Sequence, residues 1–403
     1  MAPIVARVFV PEHFGIAALF VAVVAMVEPI SALCYDQAAL LPKSDGEAQG
    51  LIKLSLYSVV MIACLLLAFI IVFTLTGPAT ELQEQLGLWV WCLPLAASLI
   101  GLNSVSENWR IRQNGYSNIA RADIAQSLTT PLTRISMGLV YGSSVAALIG
   151  GYLTALVVRF ALLWKGFPLR NVMRSPEHAF ARLQKLAYEF REFPIYNAPA
   201  RFVRAFSNSL PVLVLGLLFS PLAAGLYAMA NRLVGAPSEI VAGAVRRVYL
   251  RHAAERYGND LPLGRFLFKV TAAMFLLGLV PFSVLWLWGE EIVRIILGDN
   301  WSDAGLYAEL LAPWFFVVWL SSPTAMLYVV MRQQRQWLVS QFVLAFVRTF
   351  ALLWAYVTGA NALESIAAYV AVSVTVNLVL VAGVFWFVRR DDVFRASRDV
   401  AAS

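Results

Sequence analysis

FPIYNAPARFVRAFSNSLPVLVLGLLFSPLAAGLYAMANRL, running from Phe193 to Leu233, holds two apolar segments separated by a tight turn at Ser220-Pro221. The first segment carries a polar stripe. Asn197, Arg201, Arg204 and Asn208 are spaced by four, three and four residues, which puts them on one face of a helix. Two arginines on one side of a membrane helix are costly unless that side meets water, a partner or a ligand. In the second segment Arg232 and Glu239 are seven residues apart and share a face. A plainer reading pairs Arg232 with Glu239, or lets the arginines snorkel back to the cytoplasmic interface.

The composition around this stretch excludes a soluble globular protein. The 403 residues are 60% hydrophobic and only 14% charged, with a mean hydropathy of +0.72. The apolar residues fall in blocks of about 20, the length that crosses a bilayer as a helix. The expected class is therefore an all-α polytopic membrane protein. A net charge of +7 would suit nucleic acid in a soluble chain, but basic cytoplasmic loops explain it here, and no nucleic-acid partner is expected. Cys34, Cys64 and Cys92 lie in or beside expected spans without pairing or metal spacing, and His13, His178 and His252 are scattered. No metal and no cofactor is expected.

Residues 1–10, MAPIVARVFV, are too short to span and are expected to be the tail of a helix rather than a cleaved leader. Full spans are expected near residues 14–33, 51–77, 86–106, 119–141 and 144–165, giving an N-terminal lobe of a helix stub plus five spans over 1–165. A long connection, 166–193, follows. In it Ser175-Pro176-Glu177 reads as a helix start, and Phe180, Leu183, Ala187 and Phe190 form an apolar face opposite Arg182, Lys185 and Glu189, as in an interfacial helix. Spans near 194–219, 222–245, 264–288, 304–330, 337–357 and 361–388 make a C-terminal lobe over 194–388, followed by a basic cytoplasmic tail, 389–403. The longest external connection, about 289–303, reads as an acidic solvated loop.

Charge sets the orientation. Alternate connections hold Lys43; Arg110 and Arg112; Arg170, Arg174, Arg182, Lys185 and Arg191; Arg246, Arg247, Arg251 and Arg256; Arg332 and Arg335; and Arg389, Arg390, Arg395 and Arg398. The opposite connections hold only Arg294, with Glu81, Glu84, Glu290, Glu291, Asp299 and Asp303. The long connection and the C-terminus are therefore expected in the cytoplasm of a multi-pass inner-membrane protein.

Two function classes compete. A membrane-embedded glycan-processing enzyme needs acids, histidines or metal ligands gathered at one membrane face, and the external carboxylates have no base or metal partner in the sequence. A transporter suits the polar residues better. Asp123, Ser127, Thr130 and Arg134 repeat the four-three-four spacing, and Gln341 and Arg348 are seven apart. Arg134, Arg201, Arg204, Arg232 and Arg348 thus lie within expected spans, against Glu28 and Glu239, and an excess of arginine suits an anionic ligand. Arg159 and Lys269 lie close enough to the cytoplasmic end to snorkel and are set aside.

FGIAALFVAVV at 14–24, YDQAALLPKSDGEA at 35–48, the passage 193–219, AAGLYAMANRLVGAP at 223–237 and YAELLAPWFFVVWLSSP at 307–323 resemble the bacterial polysaccharide flippases. These form the O-antigen and exopolysaccharide branch of the multidrug/oligosaccharidyl-lipid/polysaccharide exporter superfamily. The resemblance implies two six-helix lobes around a central cavity that opens alternately to either side of the membrane. It implies a lipid-linked (undecaprenyl-pyrophosphate) oligosaccharide as cargo, for lipopolysaccharide O-antigen or exopolysaccharide assembly, and no enzymatic step. Arg134, Asn197, Arg201, Arg204, Asn208, Arg232 and Arg348 are the candidate cavity residues, and Glu28 and Glu239 the candidates for a coupling ion, H+ or Na+. Membrane lipids, a polysaccharide polymerase and chain-length machinery are the expected partners. A multidrug antiporter of the same superfamily is the alternative, disfavoured by the excess of arginine.

The chain departs from the family pattern twice. It has Cys34 where the family usually has arginine before Tyr35-Asp36. Most of the family's first helix is missing, so about 20 further apolar residues are expected to be encoded upstream of Met1. The orientation has a direct test. Alkaline phosphatase fused after Ser403 should be inactive and a fusion at Gly298 active; strong activity at Ser403 would reverse the assignment.

Overall fold

A computed structural model describes residues 2–77, 81–174, 180–259, 261–331 and 333–402. Among these residues every regular element is helical. This follows from the medium: in hydrocarbon each backbone N–H and C=O must be satisfied within its own segment. The helices are α1 (Ala2–Val8), α2 (Pro11–Ser31), α3 (Tyr35–Ala38), α4 (Asp45–Thr76), α5 (Glu81–Leu86), α6 (Leu93–Arg112), α7 (Tyr116–Tyr141) and α8 (Val145–Trp164). After them come α9 (Leu169–Arg174), α10 (Phe180–Glu189), α11 (Ala198–Val214), α12 (Pro221–Gly258), α13 (Gly264–Leu297), α14 (Ser302–Val330), α15 (Gln334–Val357) and α16 (Ala362–Ala402).

Nine segments among the described residues are long and apolar enough to cross a membrane. Two further helices are long enough but more polar. The 26-residue α7 carries Arg121, Asp123 and Arg134, and the 38-residue α12 carries Arg232, Glu239 and Arg246. Every expected span therefore falls on a helix. The surface is inverted relative to a soluble protein: on α4, Val60, Leu65, Phe69, Val72 and Leu75 are all more than half exposed. Such a belt belongs against lipid, and the chain is a multi-pass membrane protein.

Boundaries move where polar residues continue a helix past the expected membrane edge. Ser44 caps α4, accepting a hydrogen bond from the Glu47 N–H (3.1 Å), so this helix starts at Asp45. α12 runs on through the basic connection to Gly258, and α16 through the basic tail. The expected external loop at 289–303 is largely helical. α13 kinks at Trp288 (φ −134°) and continues to Leu297, ending where Gly298 adopts φ +100°. The expected helix start at Ser175-Pro176-Glu177 lies outside the described residues. Downstream, α10 buries Leu183 and Leu186 and packs on α4.

The chain divides into two compact units, Met1–Gly225 and Leu226–Ser403. In the first, α2 packs along α11, α6 and α8, and α7 pairs with α8. The closest approach is made by glycine. A Cβ at Gly15 would lie 1.7 Å from the Pro221 carbonyl oxygen, and one at Gly225 2.0 Å from that of Pro11. In the second, α13 pairs with α14, and α16 packs on α14 and α15. Asp392 of α16 caps α13, accepting from the Leu263 and Gly264 N–H groups at 2.9 and 2.7 Å.

The elbow after α2 is held by buried polar contacts. Leu33 and Cys34 adopt φ +49° and +58°, which turns the chain into α3. Asp36 is 2% exposed and accepts from the Ser104 hydroxyl (2.6 Å) and the Asn108 amide (2.8 Å) of α6. Burial pushes its carboxyl above the usual range, against the opposing pull of the Ser104 bond, backbone bonds and the Arg201 charge. Arg112 pins the rest of the elbow, donating to the Ala39 (3.1 Å) and Pro42 (2.7 Å) carbonyls and pairing with Asp45 at 2.9 Å.

Two predictions follow from packing and burial. Gly15→Ala should lower stability by about 1–3 kcal/mol through overpacking against backbone, read as a lower Tm in detergent; an unchanged Tm would refute the contact. For Asp36 the raised folded-state value means the folded form holds the proton more tightly than the unfolded. Its stabilisation is complete below the ordinary carboxylate value of about 4 and is lost as pH rises through the raised value. The Tm of the native chain should therefore fall relative to that of Asp36→Asn as pH rises above about 4; parallel Tm curves would show that Asp36 does not titrate as described.

Candidate functional site

α11 is built to keep one face packed and the other open. Pro199 lies in its first turn, and five-residue segments of wider π-helical winding, Phe193–Asn197 and Leu215–Phe219, flank it. Such widened turns recur at functional positions. Ala198, Ser207, Leu210, Pro211 and Val214 are buried, and a Cβ at Gly216 would lie 2.5 Å from Leu19 Cδ2 of α2. Across the helix, Asn197, Arg204 and Asn208 are exposed and Arg201 is half-buried. Ser220 then breaks the helix in extended backbone, and its hydroxyl accepts from the Ala223 N–H (3.1 Å) to start α12. The expected turn and stripe are both present.

Arg201 turns inward from the stripe. Its charge acts on the Cys34 thiol, whose own hydrogen bond goes to the Pro29 carbonyl at 3.5 Å. Its charge is also felt by Asp36 and Glu28, and Glu28 is further influenced by Arg159 and Glu107. Glu28 itself is exposed on α2.

Arg159, set aside from the sequence as able to snorkel, has partners that the sequence did not reveal. It bridges two other helices, donating from Nη2 to Glu107 of α6 at 2.7 Å and to Asp123 of α7 at 2.9 Å. Its Nε is buried without a hydrogen-bond partner. Spacing along one helix cannot reveal this, because the three residues sit on three different helices. The charge near Arg201 is consequently mixed, with Glu28, Asp36, Glu107 and Asp123 beside two arginines. Lys269, set aside for the same reason, is exposed.

The remaining candidates make contacts of their own. Arg134 is 7% exposed between α7 and α8, with Nε donating to the Leu148 carbonyl at 3.0 Å. Gly151 makes its room, since a Cβ there would lie 2.6 Å from Arg134 Cγ. In the second unit Glu239 pairs with Arg246, one heptad further along α12, rather than with Arg232. Arg232 is exposed and has no ion-pair partner among the described residues. Arg348 is 7% exposed; its Nε donates to Ser373 Oγ (2.8 Å), and its guanidinium lies 5.1 Å from the Trp314 ring centre and 5.6 Å from that of Tyr369.

The arrangement offers open cationic and amide groups on membrane helices, with no nucleophile–base pair at the stripe. Comparison with known proteins agrees with a transport fold. An inward-facing multidrug resistance MATE family transporter of the MOP superfamily superposes with a TM-score of 0.75 at 14% identity, covering 98% of this chain and 94% of that one. The lipid II flippase MurJ in an inward closed conformation superposes with a TM-score of 0.75 at 11% identity, over 98% and 87% of the two chains. A MATE protein in a bent conformation gives 0.55 at 13% identity, over 98% of both chains. A search of curated proteins gave no match. The family model described as "Polysaccharide biosynthesis protein" matches residues 4–305. With this match over most of its length, the chain belongs to the polysaccharide biosynthesis protein family and carries the two-lobed, all-α fold of the MATE and MurJ transporters.

Proposed function

We propose that the protein is an inner-membrane flippase that carries an undecaprenyl-pyrophosphate-linked oligosaccharide to the periplasmic leaflet by alternating access, for O-antigen or exopolysaccharide assembly. The observation that carries this reading is the open polar face of α11. A membrane helix that exposes Asn197, Arg204 and Asn208 needs an aqueous or ligand-filled space beside it. Arginine suits a pyrophosphate because its planar fork makes two parallel charge-assisted hydrogen bonds to oxyanions. Family membership supports a glycan-linked cargo, and the likeness to MurJ supports the fold needed to move one.

In this reading Arg204 in the first unit and Arg232 in the second each offer an open guanidinium suited to an anionic group. Asn197 and Asn208 bond neutral cargo oxygens, while Arg201 divides its charge between cargo and the elbow at Cys34. Arg134 and Arg348 supply buried positive charge inside their own units. Glu28 and Glu239 are the coupling candidates for H+ or Na+, Glu28 the better placed because it is open and close to two guanidinium groups. The chain performs no covalent step; a polysaccharide polymerase and chain-length machinery would act on the released cargo.

A second reading, an antiporter exchanging a cation for H+ or Na+, is favoured by one observation: the carboxylates of Glu28, Asp36, Glu107 and Asp123 outnumber the arginines beside them. One experiment separates the two. In a strain lacking its own copy of the gene, Arg204→Ala and Arg232→Ala together should reduce polymer export at least tenfold while protein abundance stays normal. Each lysine replacement should keep partial export, since charge survives but the fork does not. Full export by the double variant at normal abundance would sink the flippase site; drug sensitivity following Glu28→Gln instead would favour the antiporter.

A further inference from the structure

The second unit contains a buried guanidinium with no carboxylate to meet it. Arg348 of α15 is 7% exposed, and no described acidic group lies within ion-pairing distance. Arginine stays charged at any pH the protein meets, so it cannot escape the cost of burial by losing its proton. Its neighbours compensate only in part. The Trp314 and Tyr369 rings offer their negative faces, and the Ser373 hydroxyl accepts from Nε while donating onward to the Tyr369 carbonyl at 2.6 Å.

The other polar groups gathered here are donors. Trp314 Nε1–H is buried and has no hydrogen-bond partner. Tyr227 of α12 and Tyr369 of α16 are 2% and 1% exposed, and each lies in the electrostatic field of Arg348. A cation, an indole N–H and two phenol O–H groups, supplied by α12, α14, α15 and α16, are thus collected without an anion. A buried indole N–H left unbonded is itself an unusual expense.

We infer that this cluster is a binding site for one small inorganic anion, which neutralises Arg348 and bonds these donors. The site lies wholly within the second unit. It is independent of the identity of any cargo, and of the open arginines on α11 and α12.

Chloride is the probe. The intact protein is purified in detergent and its Tm followed as chloride replaces gluconate at constant ionic strength, so that general screening cancels. Saturable stabilisation by chloride is expected, because an anion that binds only the folded form shifts unfolding by mass action. Tyr227→Phe with Tyr369→Phe keeps both rings and removes both hydroxyls; it should weaken the apparent chloride affinity by about tenfold or more. Arg348→Gln should abolish the response. Should that variant fail to fold, the tyrosine pair alone decides. Equal Tm values in chloride and gluconate, or an undiminished chloride response in the tyrosine double variant, would overturn the inference.

Discussion

Charge taken into a hydrocarbon layer must be compensated by its immediate neighbours, because no water is there to do it. The interior of the first unit is arranged around that constraint. Arg159 joins α8 to α6 and α7 through Glu107 and Asp123, tying three helices at one point. The charge of Arg201 on α11 acts on the elbow at Cys34 and Asp36. Asp36, buried beside them, is held by two α6 donors. Removing one member of such a set would leave its partner's charge buried and exposed to the full desolvation cost.

Close backbone packing decides which polar residues remain open. Gly15 and Gly225 let α2 and the start of α12 touch along their main chains, while Leu19 fills the space above Gly216. α11 is therefore committed by its small and apolar face to α2, and its stripe must face away. Widened π-helical turns flank α11 at both ends. The positions of Arg204 and Asn208 follow from that packing as much as from their own chemistry.

The two units surround their arginines differently. In the first, Arg159 meets the carboxylates of Glu107 and Asp123, while the buried Arg134 donates to a backbone carbonyl. In the second, Arg348 meets aromatic rings and neutral donors, none of which changes charge near neutrality.

Hydropathy was sufficient to place the nine apolar membrane helices among the described residues, and local sequence the Ser220-Pro221 turn and the face shared by Asn197, Arg201, Arg204 and Asn208. Each of those depends on residues near one another in the chain. Helix ends were less legible, since Arg and Glu propagate a helix in water as readily as Leu does in lipid, so α12 and α16 outrun their apolar blocks. Partnership was not legible at all. Arg159 read as a snorkelling residue because Glu107 and Asp123 sit on other helices. Glu239 read as a mate for Arg232 because both are on one face, yet Arg246, on that same face, takes it. Arg348 read as one more cation in a row, while its aromatic cage is assembled from α14 and α16. One-dimensional spacing specifies which side of a helix a residue occupies. Only the packing of helices against each other decides what stands opposite, because that depends on interhelical contacts between residues far apart in sequence.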